Sequence, residues 1–303
     1  MGSNLLRRII KEISPQKAHI LLRKKTDTWR IKDLLKEVPV HTADLREEKE
    51  TDELLRKVKP RTIFHLAAHG TYPYQQYDER EIMETNILCT FNLMMSAMKF
   101  GFDVFVNTGT SSEYGINQKP MKERDLLKPI TAYGVSKSWA TLYGTYFAFI
   151  KKAPIVTLRL FGVYGFYESR GRLIPNIILS IINGEKLMLN KPWFKRDFVF
   201  IEDVVDAYIL AARRPTSGLV LNIGSGKQTS IKEVFSFLRN IMKVDLEPVW
   251  NKSRTDSADS NRRIADIKLA GKELGWKPKT GLDEGLRKTA DWFRKNKHLY
   301  RHA

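Results

Sequence analysis

Tyr133 and Lys137 stand four residues apart in AYGVSK, inside a stretch whose apolar spacing predicts a helix over about 132–150. Residues at i and i+4 share one helix face. An ammonium group beside a phenol favours the phenolate and lowers a pKa whose ordinary value is about 10. Bringing that value to neutrality takes roughly 3 pH units, or about 4 kcal/mol of differential stabilisation, part of which a positively charged cofactor can supply. The outcome is a tyrosine that exchanges a proton with a substrate hydroxyl or carbonyl. By itself the spacing also fits a half-exposed tyrosine above a solvated lysine. One strand and a loop earlier comes VNTGTSSEYG (106–115), a hydroxyl-rich turn closing an apolar strand. Its Thr110 can hydrogen-bond the same substrate oxygen, although plain turn chemistry also yields a Ser/Thr-rich strand end.

Such groups need elements to hold them. HILLR (19–23), TIFHLA (62–67), DVFVNTG (103–109) and IVTLRLF (155–161) read as strands, the first of them buried. Helices are expected over about 29–38, 81–100, 132–150 and 282–296, with irregular loops at 162–172, 190–197 and 248–263. Alternation of this kind predicts an α/β fold with a parallel sheet covered on both faces. Ligands in such sheets gather at the carboxyl ends of the strands.

The totals set outer bounds. The 303 residues suit one large α/β unit or two interleaved domains, and the formal charge is +18. Basic residues are scattered, with only short clusters such as Arg23-Lys24-Lys25, which favours a phosphorylated small molecule over a nucleic-acid groove. Cys89 is the one cysteine, so an intrachain disulfide and a cysteine-rich zinc site are excluded, and no metal is expected. No apolar run approaches the roughly 18 residues of a membrane span, and the N-terminus lacks a signal-peptide core, so a cytoplasmic protein without membrane partner is expected.

The order of strand, Thr-containing turn, Tyr-Gly and then YGVSK resembles the extended short-chain dehydrogenase/reductase family of NAD-dependent, nucleotide-sugar-modifying epimerases, dehydratases and reductases. Further segments carry the resemblance along nearly the whole chain: HTADLRE (41–47), FHLAAH (64–69), ETNILCTFNLM (84–94), LRLFGVYG (158–165), RDFVFIEDVVDA (196–207), NIGSGKQTSIKEV (222–234) and ADIKLAGKELGWKPKTGLDEGL (265–286). The resemblance implies a Rossmann-type doubly wound parallel sheet with a smaller C-terminal substrate domain. It places a dinucleotide-binding domain with the catalytic helix over 1–160, and the substrate domain over 161–303, with about 197–212 returning to the first. Thr110, Tyr133 and Lys137 would be catalytic, the last two also touching the cofactor. Asp44 and Leu45 would flank the adenine, Leu66, Ala67 and Ala68 would pass the pyrophosphate and ribose, and Asn86 would sit on the asparagine-bearing helix. Arg196 and Arg254 would hold the diphosphate of the sugar nucleotide, since a guanidinium fork makes paired charge-assisted bonds. An ion pair of Arg196 with Asp197 or Glu202 is the plainer alternative.

Family members share hydride transfer between a sugar carbon and nicotinamide. Those that eliminate water carry an acid two positions after the threonine. Here that position is Ser112, and the acid, Glu113, falls one residue later. An NAD(P)-dependent nucleoside-diphosphate-sugar epimerase or 4-keto-sugar reductase is therefore the main expectation. A dehydratase, or an impaired relative that only binds nucleotide sugar or a protein partner, is the alternative. Arg23 stands where a basic residue accommodates the extra phosphate of NADP and an acidic one would select NAD; a solvated basic loop competes with that role. Both NADP and NAD stay open, with NADP(H) preferred. A homodimer is expected through the helix bearing Trp139, Leu142, Tyr143 and Tyr146, although core packing explains the same stripe.

The opening MGSNLLRRII is amphipathic at helical spacing. The resemblance makes Gly2 the last glycine of a G-x-x-G-x-x-G turn that seats the pyrophosphate on a helix N-terminus. The expectation is a chain whose first strand and two earlier glycines are missing, through a miscalled start or a shortened gene. Roughly ten residues would be lost by the fingerprint's spacing, with weakened cofactor affinity as the consequence.

Overall fold

The computed structural model describes residues 1–72, 75, 78–117, 119–214, 217–251 and 263–300. In chain order the regular elements are α1 (Gly2–Glu12), β1 (Ile20–Leu22), β2 (Val40–Thr42), α2 (Glu48–Val58), β3 (Thr62–His65), α3 (Glu79–Met83), α4 (Cys89–Phe100), β4 (Val104–Thr110) and α5 (Ala132–Ile150). There follow β5 (Ile155–Leu160), β6 (Gly162–Tyr164), α6 (Leu173–Asn183), β7 (Met188–Asn190), β8 (Lys195–Arg196), β9 (Phe198–Phe200) and α7 (Ile201–Arg213). The last are β10 (Val220–Ile223), β11 (Thr229–Ser230), α8 (Ile231–Met242), β12 (Val249–Asn251), α9 (Lys268–Leu274) and α10 (Leu282–Asn296). The chain forms two compact units, one of Met1–Gly115, Leu126–Arg159 and Val205–Leu221, the other of Ile116–Asp125, Leu160–Val204 and Asn222–Ala303.

In the first unit the strands form two ladders. One runs in the order β10-β5-β4-β3, with β3 and β4 parallel; the other is the parallel pair β1–β2. Side chains alternate across the strands. Ile63 and Phe105 join Leu45, Leu55, Leu93, Met94 and Phe147, so α2, α4 and α5 cover one face. From the other face Phe64 meets Tyr208 of α7 edge-on, with ring centroids 6.3 Å apart. Helix α1 packs Leu6 against Ala18, Leu34 and Val38, and its Arg8 reaches Asp206 of α7 at 3.1 Å. The α/β architecture with a parallel sheet is thus the one expected from the alternation.

Two expectations about elements need correction. HILLR was expected to be a buried strand, but Ile20, Leu21 and Leu22 are only half-buried, because β1 is laddered on one edge alone. Over 29–38 no α-helix forms; a 3-10 turn at Trp29–Ile31 continues through i→i+3 bonds from Leu34 N to Ile31 O and from Glu37 N to Leu34 O. Packing of Leu34 and Val38 on α1 satisfies the apolar pattern without a full helix. The expected helix over 81–100 exists with a π turn at Glu84–Leu88 between α3 and α4. Segments expected to be irregular loops contain β6, β8 and β12.

In the second unit Asp197 acts as a buried clamp. Its carboxylate accepts from the N–H groups of Ser225, Gly226 and Ala265 at 2.6, 3.0 and 3.0 Å, tying β8 and β9 to the strand ends that follow β10. Asp203 plays the same part for the C-terminal segment, accepting from Lys279 N and Thr280 N, while its carbonyl accepts from Trp276 Nε1 at 2.8 Å.

Candidate active site

Apart from Gly2, which opens α1, and Asn86, which lies in the π turn between α3 and α4, the site residues expected in the first unit follow or close a strand or lie on α5. Arg23 follows β1, Asp44 follows β2, Leu66, Ala67 and Ala68 follow β3, and Thr110 closes β4. Thr110 caps a 3-10 turn, Ser111–Tyr114. Its Oγ1 accepts from Ser112 N–H at 3.3 Å, and Glu113 Oε1 accepts from Thr110 N–H at 2.8 Å. This reciprocal capping uses Thr110 as acceptor only, leaving its hydroxyl proton available to a ligand oxygen.

Helix α5 starts against that turn. Thr131 caps it by accepting from Gly134 N–H at 3.0 Å. A Cβ at Gly134 would stand 2.8 Å from Ser112 O, so the glycine after Tyr133 is what lets the helix and the threonine turn touch. Gly70, at φ +86°, plays the matching part in the loop after β3, where a Cβ would lie 2.9 Å from Ile82 and 3.4 Å from Tyr133 Cβ. Tyr133 is thereby bracketed by two backbone approaches. Thr108 and Tyr208 continue the polar lining, their hydroxyls 2.6 Å apart, with Thr108 Oγ1 also donating to His65 O at 2.7 Å.

Lys137, one turn along α5, is 1% exposed, and its Nζ has no hydrogen-bond partner among the described residues. Burial pushes its pKa down to about 8, against the pull of the Glu113 carboxylate, which raises it. His65 lies beneath, its Nε2 2.8 Å from Thr90 Oγ1. Thr90 donates its own proton to Asn86 O at 2.7 Å, so His65 is the Nε2–H tautomer. Burial, with Lys137 nearby, holds His65 down at about 3, a neutral imidazole at physiological pH.

Asn86, expected beside the cofactor, is fully buried in the π turn, and its amide is committed within the fold. Its Oδ1 accepts from His69 N–H at 2.8 Å, and Nδ2 donates to His69 O and Ser136 Oγ, both at 2.9 Å. It braces the loop after β3 against α5, a use consistent with the π turn's frequent place at functional sites. Leu45 likewise packs in the core. Asp44 is held by Arg46 at 2.6 Å, which keeps its carboxyl below the usual range. Arg23 and Arg46 both reach Glu81, at 3.3 and 3.4 Å. A Cβ at Gly2 would meet nothing within 4 Å, so no neighbouring atom demands glycine there.

Glu113 differs most from what its place in the sequence suggests. It is wholly buried, and its Oε2 accepts from Arg159 Nε at 2.7 Å, with Arg159 itself 3% exposed. It is turned into the fold and committed to Arg159 and to the Thr110 N–H. The signal for this pair was present: an arginine inside the apolar strand IVTLRLF requires a buried counter-charge.

In the second unit Arg196 is half-buried on β8, its guanidinium 5.7 Å from the centre of the Phe194 ring and its Nη1 donating to Lys195 O at 2.9 Å. The carboxylate of Asp197 is committed to backbone N–H groups, and Glu202 meets Lys288 at 3.8 Å. Arg254 lies outside the described residues.

A parallel α/β sheet with Thr110 closing β4 and α5, the helix of Tyr133 and Lys137, starting against the turn that follows it defines the class: a Rossmann-type scaffold. Residues 1–224 match the model of the NAD dependent epimerase/dehydratase family. The chain belongs to that family. It is 28% identical over 262 residues to a putative UDP-glucose 4-epimerase of Methanocaldococcus jannaschii, covering 84% of this chain and 83% of the relative. It is 26% identical over 248 residues to a mouse dTDP-D-glucose 4,6-dehydratase, covering 80% and 70%. The structure of the UDP-glucose 4-epimerase of Thermotoga maritima with UDP-glucose superposes with a TM-score of 0.87 at 26% identity, covering 97% and 96%. That of MoeE5 in complex with UDP-glucuronic acid and NAD gives 0.83 at 28%, again covering 97% and 96%.

Proposed function

We propose that this protein is an NAD(P)-dependent nucleoside-diphosphate-sugar epimerase or 4-keto-sugar reductase. The observation that carries the reading is Lys137: a buried, unpartnered ammonium one helical turn from Tyr133, with Thr110 held in contact range of the same helix by Gly134. The residues present fit a nicotinamide dinucleotide. Lys137 Nζ has donors for ribose hydroxyls, and the N-terminus of α1 offers N–H groups and the buried Ser3 Oγ, also without a partner among the described residues, to a phosphate. When bound, such a cofactor supplies the hydride acceptor or donor.

The chain's own residues do the rest. Tyr133, as phenolate, takes the proton of a sugar hydroxyl, or as phenol returns it to the ketone oxygen. Thr110 donates a hydrogen bond to that oxygen, and the Lys137 ammonium stabilises the phenolate. Arg196 binds the diphosphate. Arg23 at the end of β1 is half-exposed in a surface ion pair worth at most about 1 kcal/mol, so the extra phosphate of NADP can displace Glu81 from it. The inward commitment of Glu113 favours epimerisation or reduction over dehydration.

The exposed face of α5 supports a homodimer. Trp139 and Tyr143 stack with centroids 4.6 Å apart over the buried Phe147, whereas Leu142 and Phe149 are each 60% exposed and Ile150 65%, beside Met95 at 45% on α4. Core packing thus explains one half of the stripe and leaves the other apolar and outward-facing. Among the described residues no helix is long and apolar enough to cross a membrane.

The test is turnover of CDP-, dTDP-, GDP- and UDP-linked sugars and their 4-keto forms with NAD and NADP. Products are read by NMR and reduction by nicotinamide absorbance. An epimer or a reduced sugar from one of them is expected. Folded protein that binds neither cofactor and converts none of the panel would overturn the reading.

A further inference from the structure

The mechanism above leaves one buried titratable pair unused. Among the described residues of the first unit the buried charged side chains are two cations, Lys137 and Arg159, and one carboxylate, Glu113. We infer that Glu113 is a positioning residue for the proton-transfer site: from inside the fold it fixes the Thr110 turn and supplies the counter-charge to the Lys137 ammonium. The inference rests on the proposed role of Thr110, Tyr133 and Lys137.

The geometry is specific. One carboxylate oxygen accepts from Thr110 N–H at 2.8 Å, and the other accepts from Arg159 Nε at 2.7 Å. Arg159 Nη1 donates in turn to Tyr114 Oη at 3.0 Å, and the guanidinium lies 4.8 Å from the centre of the Tyr114 ring. The backbone makes room for this. A Cβ at Gly109 would lie 2.6 Å from Glu113 Oε1, and one at Gly115, at φ +69°, only 1.8 Å from Lys128 O. The turn is therefore closed at both ends by positions that exclude a side chain, with Glu113 folded back between them.

The electrostatic part follows from which groups can change. The titratable groups linked to the pair are Glu113 and Tyr114 from the turn after β4, Arg159 from β5, the neutral His65 from β3 and, coupled to Tyr133 of α5, Tyr208 of α7. Arg159 keeps its proton at any accessible pH. With Glu113 in place the buried set carries one surplus positive charge, which a Tyr133 phenolate neutralises. Without it Lys137 loses the opposite charge that acts on it, and Lys137 is the cation that can yield a proton. Loss of that proton removes the charge that favours the phenolate.

The experiment follows Lys137 directly. Lysine side chains labelled with 13C are titrated by NMR in the full-length protein, and the Lys137 signal is assigned by its absence from Lys137→Met. A wild-type midpoint near 8 is expected. In Glu113→Gln it should fall by about one pH unit, the size of a close opposite charge. The alkaline limb of the kcat profile should fall by the same interval. If Glu113→Gln does not fold, Glu113→Gln/Arg159→Met keeps the core free of an unpaired guanidinium, and its Lys137 midpoint should still lie below wild type. An unchanged midpoint in either folded variant overturns the inference, as does a uniform loss of kcat with an unmoved profile. Because the NMR titration needs no substrate, a wild type that titrates as described but turns over no nucleotide sugar counts against the proposed function alone.

Discussion

Replacing Lys137 by methionine should make the protein more stable and catalytically dead. Lys137 is 1% exposed, and burial depresses its pKa from the ordinary 10.5 to about 8. A depressed lysine means that the unfolded chain binds more protons than the folded one between those values. Stability is therefore reduced below pH 8 and recovers as pH rises towards 10.5. An interval of about 2.5 pH units at about 1.36 kcal/mol each places roughly 3 kcal/mol against the charged form at pH 7. Methionine has similar length and no charge, so Lys137→Met should gain about that amount at pH 7 and only about 1 kcal/mol at pH 10. The assay is urea denaturation of both proteins at 25 °C across that range, followed by the fluorescence of the six tryptophans and checked by circular dichroism. Effects of pH on other groups cancel in the difference. A variant no more stable at pH 7, or a gap that does not narrow with rising pH, would refute the account of Lys137 as a buried cation retained for chemistry.

Tyr133→Phe should lower kcat by about 10²–10⁴-fold with little change in KM, since only the transferable proton is lost; steady-state kinetics on the substrate found active checks it. Arg196→Ala should raise KM for the nucleotide sugar by about 10–100-fold while largely sparing kcat, the loss of a charge-assisted bond to diphosphate. Cofactor affinity, measured by fluorescence, should not move. For His65 the folded value of about 3 lies below the ordinary 6.5, so its share of stability is complete above pH 6.5 and is lost as pH falls towards 3. At pH 4.5 this amounts to about 3 kcal/mol, and His65→Gln, which cannot titrate, should show a correspondingly shallower loss of stability between pH 6.5 and 4.5.

Local features of the chemistry were legible in the chain itself. Tyr133 and Lys137 share a face because helix geometry fixes i and i+4, and Thr110 falls at a strand end because apolar residues precede it and turn formers follow. The strands that lead to Arg23 and Ala67 came from the same kind of short-range pattern, whereas the short β2 before Asp44 appeared only in the structure. Tertiary structure decided how the side chains are used. Glu113 looked like a displaced acid; Arg159, 46 residues away, draws it inward. Asn86 looked like a ligand contact; His69 and Ser136, 17 and 50 residues away, occupy its amide. The 29–38 segment had an amphipathic pattern, yet packing on α1 is met by a tighter turn. Glycines 70, 109 and 134 gained their meaning only when the folded backbone brought another segment within 3 Å. Local periodicity reports which groups neighbour each other along an element. The partner that satisfies a buried charge or a crowded backbone is set by long-range packing, which no window of sequence contains.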